Sequence, residues 1–152
     1  MPRSAREPKE RDFRGGLRPP IPQRALVVSL PFSPRLRAGK VAEAVAAGLR
    51  AGGSPDPDVL ALGDDLAGFD ERLRSARAVV LAATLLERDR LRGTLELEIL
   101  SRARQMGVPA YAICRELRLD AFDARLLDLQ VVLEARSERA LSAAARRLAP
   151  LL

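Results

Sequence analysis

Five short apolar runs alternate with five helix-patterned segments after residue 24, and this alternation constrains the fold more than any other feature. Ala25–Leu30, Asp58–Leu62, Ala78–Ala83, Val108–Cys114 and Gln130–Glu134 read as strands, short and apolar at neighbouring positions rather than at every second one. A strand apolar on both faces belongs in a parallel sheet covered on both sides. Between the runs, Ala38–Ala51 places Val41, Val45 and Leu49 on one helical face and stops at Gly52-Gly53. Phe69–Ala76 predicts a short helix, and Arg88–Met106 a long one with Leu91, Leu95, Ile99 and Ala103 at helical spacing. Ala121–Leu127 is a weak helix, and Ser137 caps a last one that ends near Leu148. The pattern predicts an α/β fold: one doubly wound, Rossmann-like, three-layer domain with a five-stranded, mainly parallel sheet. Ligands of such sheets sit beyond the carboxyl ends of the strands. The loops in question are Pro31–Arg37, Gly63–Gly68, Thr84–Arg90 and Arg115–Asp120.

Composition narrows the chemistry. The 152 residues suit one domain, and 47% hydrophobic residues is too apolar for a disordered chain. The absence of histidine excludes histidine-dependent catalysis and the common His-bearing zinc sites. Cys114 has no second cysteine to bond, which fits a reducing compartment, so a cytoplasmic location is expected. No apolar run has membrane-spanning length, and no membrane partner is expected.

Residues 1–24 read as a disordered basic arm attached to a domain spanning 25–152. The arm carries seven basic side chains against three acidic ones, and Pro2, Pro8, Pro19, Pro20 and Pro22 interrupt it. Such an arm serves first as a solubilising extension or a misassigned start, and nucleic-acid binding by counterion release ranks well behind. Arginine far outnumbers lysine (Lys9 and Lys40 alone), so most arginines are expected on solvated faces.

Phosphate-binding motifs are incomplete in this chain. Ala38-Gly39-Lys40 ends like a P-loop, but Pro34 stands where the first glycine belongs and Val41 replaces the magnesium-binding hydroxyl. No G-x-G-x-x-G follows any strand. Arg35-Leu36-Arg37 and Arg88-Asp89-Arg90 suit an anion at a helix N-terminus or an ordinary solvated loop. Asp64-Asp65 suits magnesium or, more commonly, a turn. Cys114, at the end of an apolar run, reads as a core residue rather than a nucleophile.

Two stretches resemble the bacterial glycerate kinase family, which transfers ATP phosphate to glycerate. Lys40-Val41-Ala42-Glu43-Ala44-Val45-Ala46-Ala47-Gly48-Leu49-Arg50 is similar to the family's first helix, and Ala61-Leu62-Gly63-Asp64 to the first half of its P-L-A-D-G-G-E-G-T loop. Further on, Leu91 and Gly93 match an L-x-G element, and Gly107-Val108-Pro109-Ala110-Tyr111-Ala112-Ile113 matches A-G-V-P-V-I-A. The departures fall on the reactive positions. Leu30 stands for an aspartate, Ser33 and Thr94 for lysines, Glu87 for an aspartate, and Ala82-Ala83-Thr84-Leu85 for G-E-G-R. The family's large middle domain is missing, leaving a short helix between Asp64 and Ala78.

Phosphoryl transfer needs cations on the phosphates, carboxylate-held magnesium and a closed cleft. The resemblance therefore implies a sheet-domain remnant that binds a small anion or a protein partner without catalysis, with self-association as a further possibility. The alternative is a glycerate kinase or related phosphotransferase using ATP and magnesium, completed by a partner chain. The candidate ligand-binding residues are Asp64, Arg35, Thr84, Arg88 and Gly93, with no catalytic residue and no metal ligand assigned.

Overall fold

The apolar runs do assemble side by side. The computed structural model describes residues 24–63 and 65–152. Its five strands are β1 (Arg24–Ser29), β2 (Asp58–Ala61), β3 (Ala76–Glu87), β4 (Ala110–Arg118) and β5 (Leu129–Glu134). They form one sheet in the order β2-β1-β3-β4-β5, and every pair is parallel. The helices are α1 (Ala38–Ala51), α2 (Phe69–Arg74), α3 (Leu95–Gln105), α4 (Ala121–Leu126) and α5 (Glu138–Leu148). The expected Rossmann-like α/β class is what the chain adopts.

The chain winds from β1 outward to β2, then returns past β1 to β3 and continues to β5. Crossovers share one hand, so reversing direction changes the face on which the connecting helix lands. Accordingly α1 lies on one face with α5, while α2, α3 and α4 cover the other. Strand residues alternate between the two cores: Val27 and Val80 pack with Val41, Val45 and Leu49 of α1, whereas Val28 and Leu81 pack with Phe69, Leu73 and Ile99. Apolar side chains cover the sheet on both faces, which is why the central strands β1 and β3 lack a polar face.

Several boundaries differ from the sequence expectation. Strand β1 takes in Arg24, assigned above to the arm; its guanidinium donates to the carbonyls of Asp56 (2.9 Å) and Pro57 (3.2 Å). The rest of the arm, 1–23, lies outside the described residues. The long helix does not begin at Arg88. Arg88–Arg90 is a single 3-10 turn, Gly93 adopts φ +77°, and α3 starts after Thr94, whose hydroxyl accepts from the Leu97 amide at 3.2 Å. A left-handed glycine followed by a threonine cap ends one segment and starts the next, whatever the leucine spacing suggests.

Strands β3 and β4 also run past their expected ends, absorbing Thr84–Glu87 and Arg115–Arg118 from the presumed loops. Each extension is the other's partner, with Leu85 opposite Glu116 and Glu87 opposite Arg118. The charges on this ribbon are matched: Arg118 lies 3.6 Å from Glu87 and 3.2 Å from Glu116.

Candidate functional site

The reversal of winding occurs between β1 and β3, and the crevice at the carboxyl ends of these strands is where doubly wound sheets bind ligands. Here it is framed by the loop from Pro31 to Arg37 and the entry to α1. The loop closes on itself. The amides of Phe32 and Ser33 donate to the Leu36 carbonyl at 2.8 and 3.3 Å, and the Ser33 hydroxyl accepts from the Leu36 amide at 3.0 Å. Three side chains brace it from the sheet. The Thr84 hydroxyl donates to the Pro31 carbonyl at 2.5 Å, Arg115 donates to the Phe32 carbonyl at 3.3 Å, and buried Ser29 donates to the Ala38 carbonyl at 2.8 Å. Phe32 anchors the loop in the core at 3% exposure.

What remains open is a shallow concavity of about 460 Å³ lined by Pro31, Phe32, Ser33, Pro34 and Arg37. Helix α1 starts at its rim. Its N-cap, Arg37, provides no side-chain acceptor, and no acidic residue occupies the first turn. The first amides of a helix have no partner within it, and they concentrate the positive end of the backbone dipole. Arg35, Arg37 and Lys40 are exposed around this end. The arrangement is electropositive and rigidly backed.

The five sequence candidates do not converge on one centre. Thr84 lies at the crevice as a brace in β3 rather than as a loop residue, and Arg35 is exposed on the same loop. Arg88 turns elsewhere. It approaches Asp123 of α4 at 3.6 Å and lines a separate hollow of about 260 Å³ with Leu91, Arg92, Leu97, Leu126 and Leu127. Gly93 serves the chain reversal before α3 and lines neither hollow. Asp64 lies outside the described residues. Its neighbour Asp65 accepts from the Ala67 amide at 3.1 Å, the local turn bond expected of an aspartate there.

Among the described residues, no three Cys, Asp or Glu side chains gather as a metal site would require. The Cys114 thiol is fully buried between β3 and β5 and is pushed up to about 12, chiefly by burial and then by nearby Glu134. It has the protonation of a core residue, not of a nucleophile.

Two participants escaped the sequence candidate list. Arg115 reads as a loop charge until β4 is seen to run through it, and Asp123 forms a capping box with Asp120. The Asp120-Ala-Phe-Asp123 spacing is a legible capping signal, whereas nothing in the sequence announces that Arg115 reaches across the sheet.

No protein-family model matches the chain, and no curated protein does. Among solved structures, the chain is similar to a de novo designed Rossmann-fold protein, with 12% identity over 85% of this chain and 90% of that one and a TM-score of 0.49. It is also similar to an oxidoreductase from Corynebacterium diphtheriae, with 14% identity over 86% of this chain and 97% of that one and a TM-score of 0.47. The doubly wound architecture itself stands on the strand order and the two helix layers.

Proposed function

We propose that this chain is a non-catalytic binding module, a glycerate-kinase-like sheet domain that holds a small phosphate- or carboxylate-bearing anion at the β1/β3 crevice. The observation that carries this reading is the uncapped, acid-free start of α1, ringed by Arg35, Arg37 and Lys40 above a loop pinned by Thr84 and Arg115. Helix amides and cations suit an anion, and a pre-braced loop keeps the ordering cost of binding low.

The non-catalytic part is supported by the fate of the positions where the resembled family is reactive. Leu30, Ala82 and Ala83 are buried in the cores, and the Ser33 hydroxyl is engaged by its own loop. These side chains contribute packing and turn geometry, with no charge to stabilise a transferring phosphoryl group.

Thermal unfolding with inorganic phosphate, pyrophosphate and ATP, each with and without magnesium, tests the reading. Pyrophosphate is expected to raise the melting temperature, and Arg37→Glu to abolish the shift while leaving the unliganded melting temperature nearly unchanged. ATP-dependent phosphorylation of glycerate by the purified chain would overturn the non-catalytic assignment. Absence of stabilisation by all three anions would overturn the site.

A further inference from the structure

Ser29 and Asp123 are the buried polar residues among the described ones. Ser29 is fully served, since its hydroxyl donates to the Ala38 carbonyl at 2.8 Å. Asp123 is not. It closes the capping box of α4, yet its Oδ2 lies 3.4 Å from the Asp120 amide nitrogen and its Oδ1 lies 3.6 Å from Arg88. Donors approach a carboxylate to about 2.7–2.9 Å when the bond is strong, and a buried charge needs such bonds. Elsewhere in the molecule Asp58 meets Arg72 at 2.7 Å and Asp70 meets Arg102 at 3.0 Å, both at more exposed positions. The Asp123 side chain keeps 11% exposure and has two long contacts, where a carboxylate can accept about four hydrogen bonds. It is short of donors.

Asp123 lines the hollow of about 260 Å³ that opens between the turn after β3, helix α3 and helix α4. Leu91, Leu97, Leu126 and Leu127 form the apolar wall, and Leu126 is left 50% exposed. Arg88 and Arg92 complete the lining. Both are exposed; Arg88 has the long contact with Asp123, and Arg92 has no ion pair among the described residues. One hollow therefore combines leucine surface, two arginines suited to a carboxylate and a carboxylate in want of a donor. A simple acid would meet repulsion from Asp123, and a simple amine would meet it from the arginines. A small molecule with both charges and a short apolar chain answers every group. The volume falls below the about 300–1,000 Å³ of sites for drug-sized ligands, which limits the ligand to a few heavy atoms beyond its charged groups.

We propose that this hollow is a second ligand site, which takes a free α-amino acid with a branched or aromatic apolar side chain. The ammonium group donates to Asp123, the carboxylate accepts from Arg88 and Arg92, and the side chain covers Leu126 and its neighbouring leucines. The hollow shares no lining residue with the β1/β3 crevice, so the two sites are independent.

Calorimetric titration of the full chain with L-leucine and L-phenylalanine tests this. Saturable binding is expected. 4-Methylpentanoate lacks the ammonium group and 3-methylbutylamine lacks the carboxylate, and each should bind at least about tenfold more weakly than L-leucine. Asp123→Asn keeps an oxygen for the Asp120 amide and should weaken L-leucine binding by about tenfold or more. Arg92→Ala, at an exposed side chain, should weaken it as well, and this variant decides the matter if Asp123→Asn fails to fold. Added pyrophosphate should leave L-leucine affinity unchanged. Failure of both amino acids to bind overturns the proposal, as does an affinity that neither variant moves. Equal binding of 4-methylpentanoate overturns it too, by making the ligand a plain acid, and competition by pyrophosphate does so by placing the amino acid in the crevice.

Discussion

Helices α1 and α5 lie so close that a Cβ on Gly48 would fall 2.1 Å from the Ser142 carbonyl oxygen and 2.7 Å from the Ala145 methyl. On the other side of the sheet, α2, α3 and α4 stand off on large side chains: Phe69, Leu73, Ile99 and Leu100 are buried, and polar bridges join the helices across their tops. Arg102 of α3 reaches Asp70 of α2 at 3.0 Å, and Arg104 reaches the Leu126 carbonyl of α4 at 3.4 Å. The first face is closed by backbone proximity. The second is closed by side-chain volume and leaves hollows between its helices, including the one lined by Arg88 and Asp123. A face of the first kind fails when volume is added, and one of the second kind fails when volume is removed.

The largest expected effect is on the leucine face. Leu100→Ala should cost about 2–5 kcal/mol in chemical unfolding. A cost well below that range would mean that the helices settle into the cavity and that this face is less firmly packed than its burial implies.

Next comes Gly48→Ala, expected to cost about 1–3 kcal/mol because the new methyl meets backbone rather than a flexible side chain. The control lies in the same helix. A Cβ on Gly39 meets nothing within 4 Å, so Gly39→Ala should stabilise by up to about 1 kcal/mol through helix propensity. If both alanines stabilise, close approach of α1 and α5 is not what limits that face.

A smaller effect is expected at the start of α3. Thr94→Ala removes the cap from the helix that carries Ile99 and Leu100 and should cost about 1 kcal/mol, read by the denaturation midpoint. The last prediction concerns pH and the sheet between the two faces. The Cys114 thiol titrates near 9.0 when free and at about 12 when folded. The folded state therefore holds the proton more tightly, and stability from this group is complete below pH 9 and lost as pH rises towards about 12. Cys114→Ala should flatten that part of the pH profile, and a thiol reagent at neutral pH should label the protein only once it unfolds.

Which parts of this were legible beforehand depends on the range of the interaction. Helix α1 is legible to the residue, Ala38–Ala51, because its apolar spacing and terminal Gly52-Gly53 are local signals. Ser137 is legible as the cap of α5 for the same reason, and its hydroxyl accepts from the Ala140 amide at 3.1 Å. The extension of β3 was not legible: Thr84 and Glu87 are extended because β4 runs beside them, a pairing between residues about thirty apart in sequence. The candidate site suffered likewise. Thr84 and Arg88 are four positions apart yet serve different hollows, since β3 carries the chain past the crevice before it turns towards α4.

Apolar runs that are greasy on both faces, separated by helix-periodic segments, leave few ways to bury everything, so the parallel sheet with two helix layers was already implied by local pattern. Strand order, the course of β3 and β4 beyond their apolar stretches, and the bracing of the Pro31–Arg37 loop by Arg115 came only with the assembled molecule. Each of these depends on which distant backbone groups meet, and hydrogen bonding between segments far apart in sequence leaves little trace in the composition of either one.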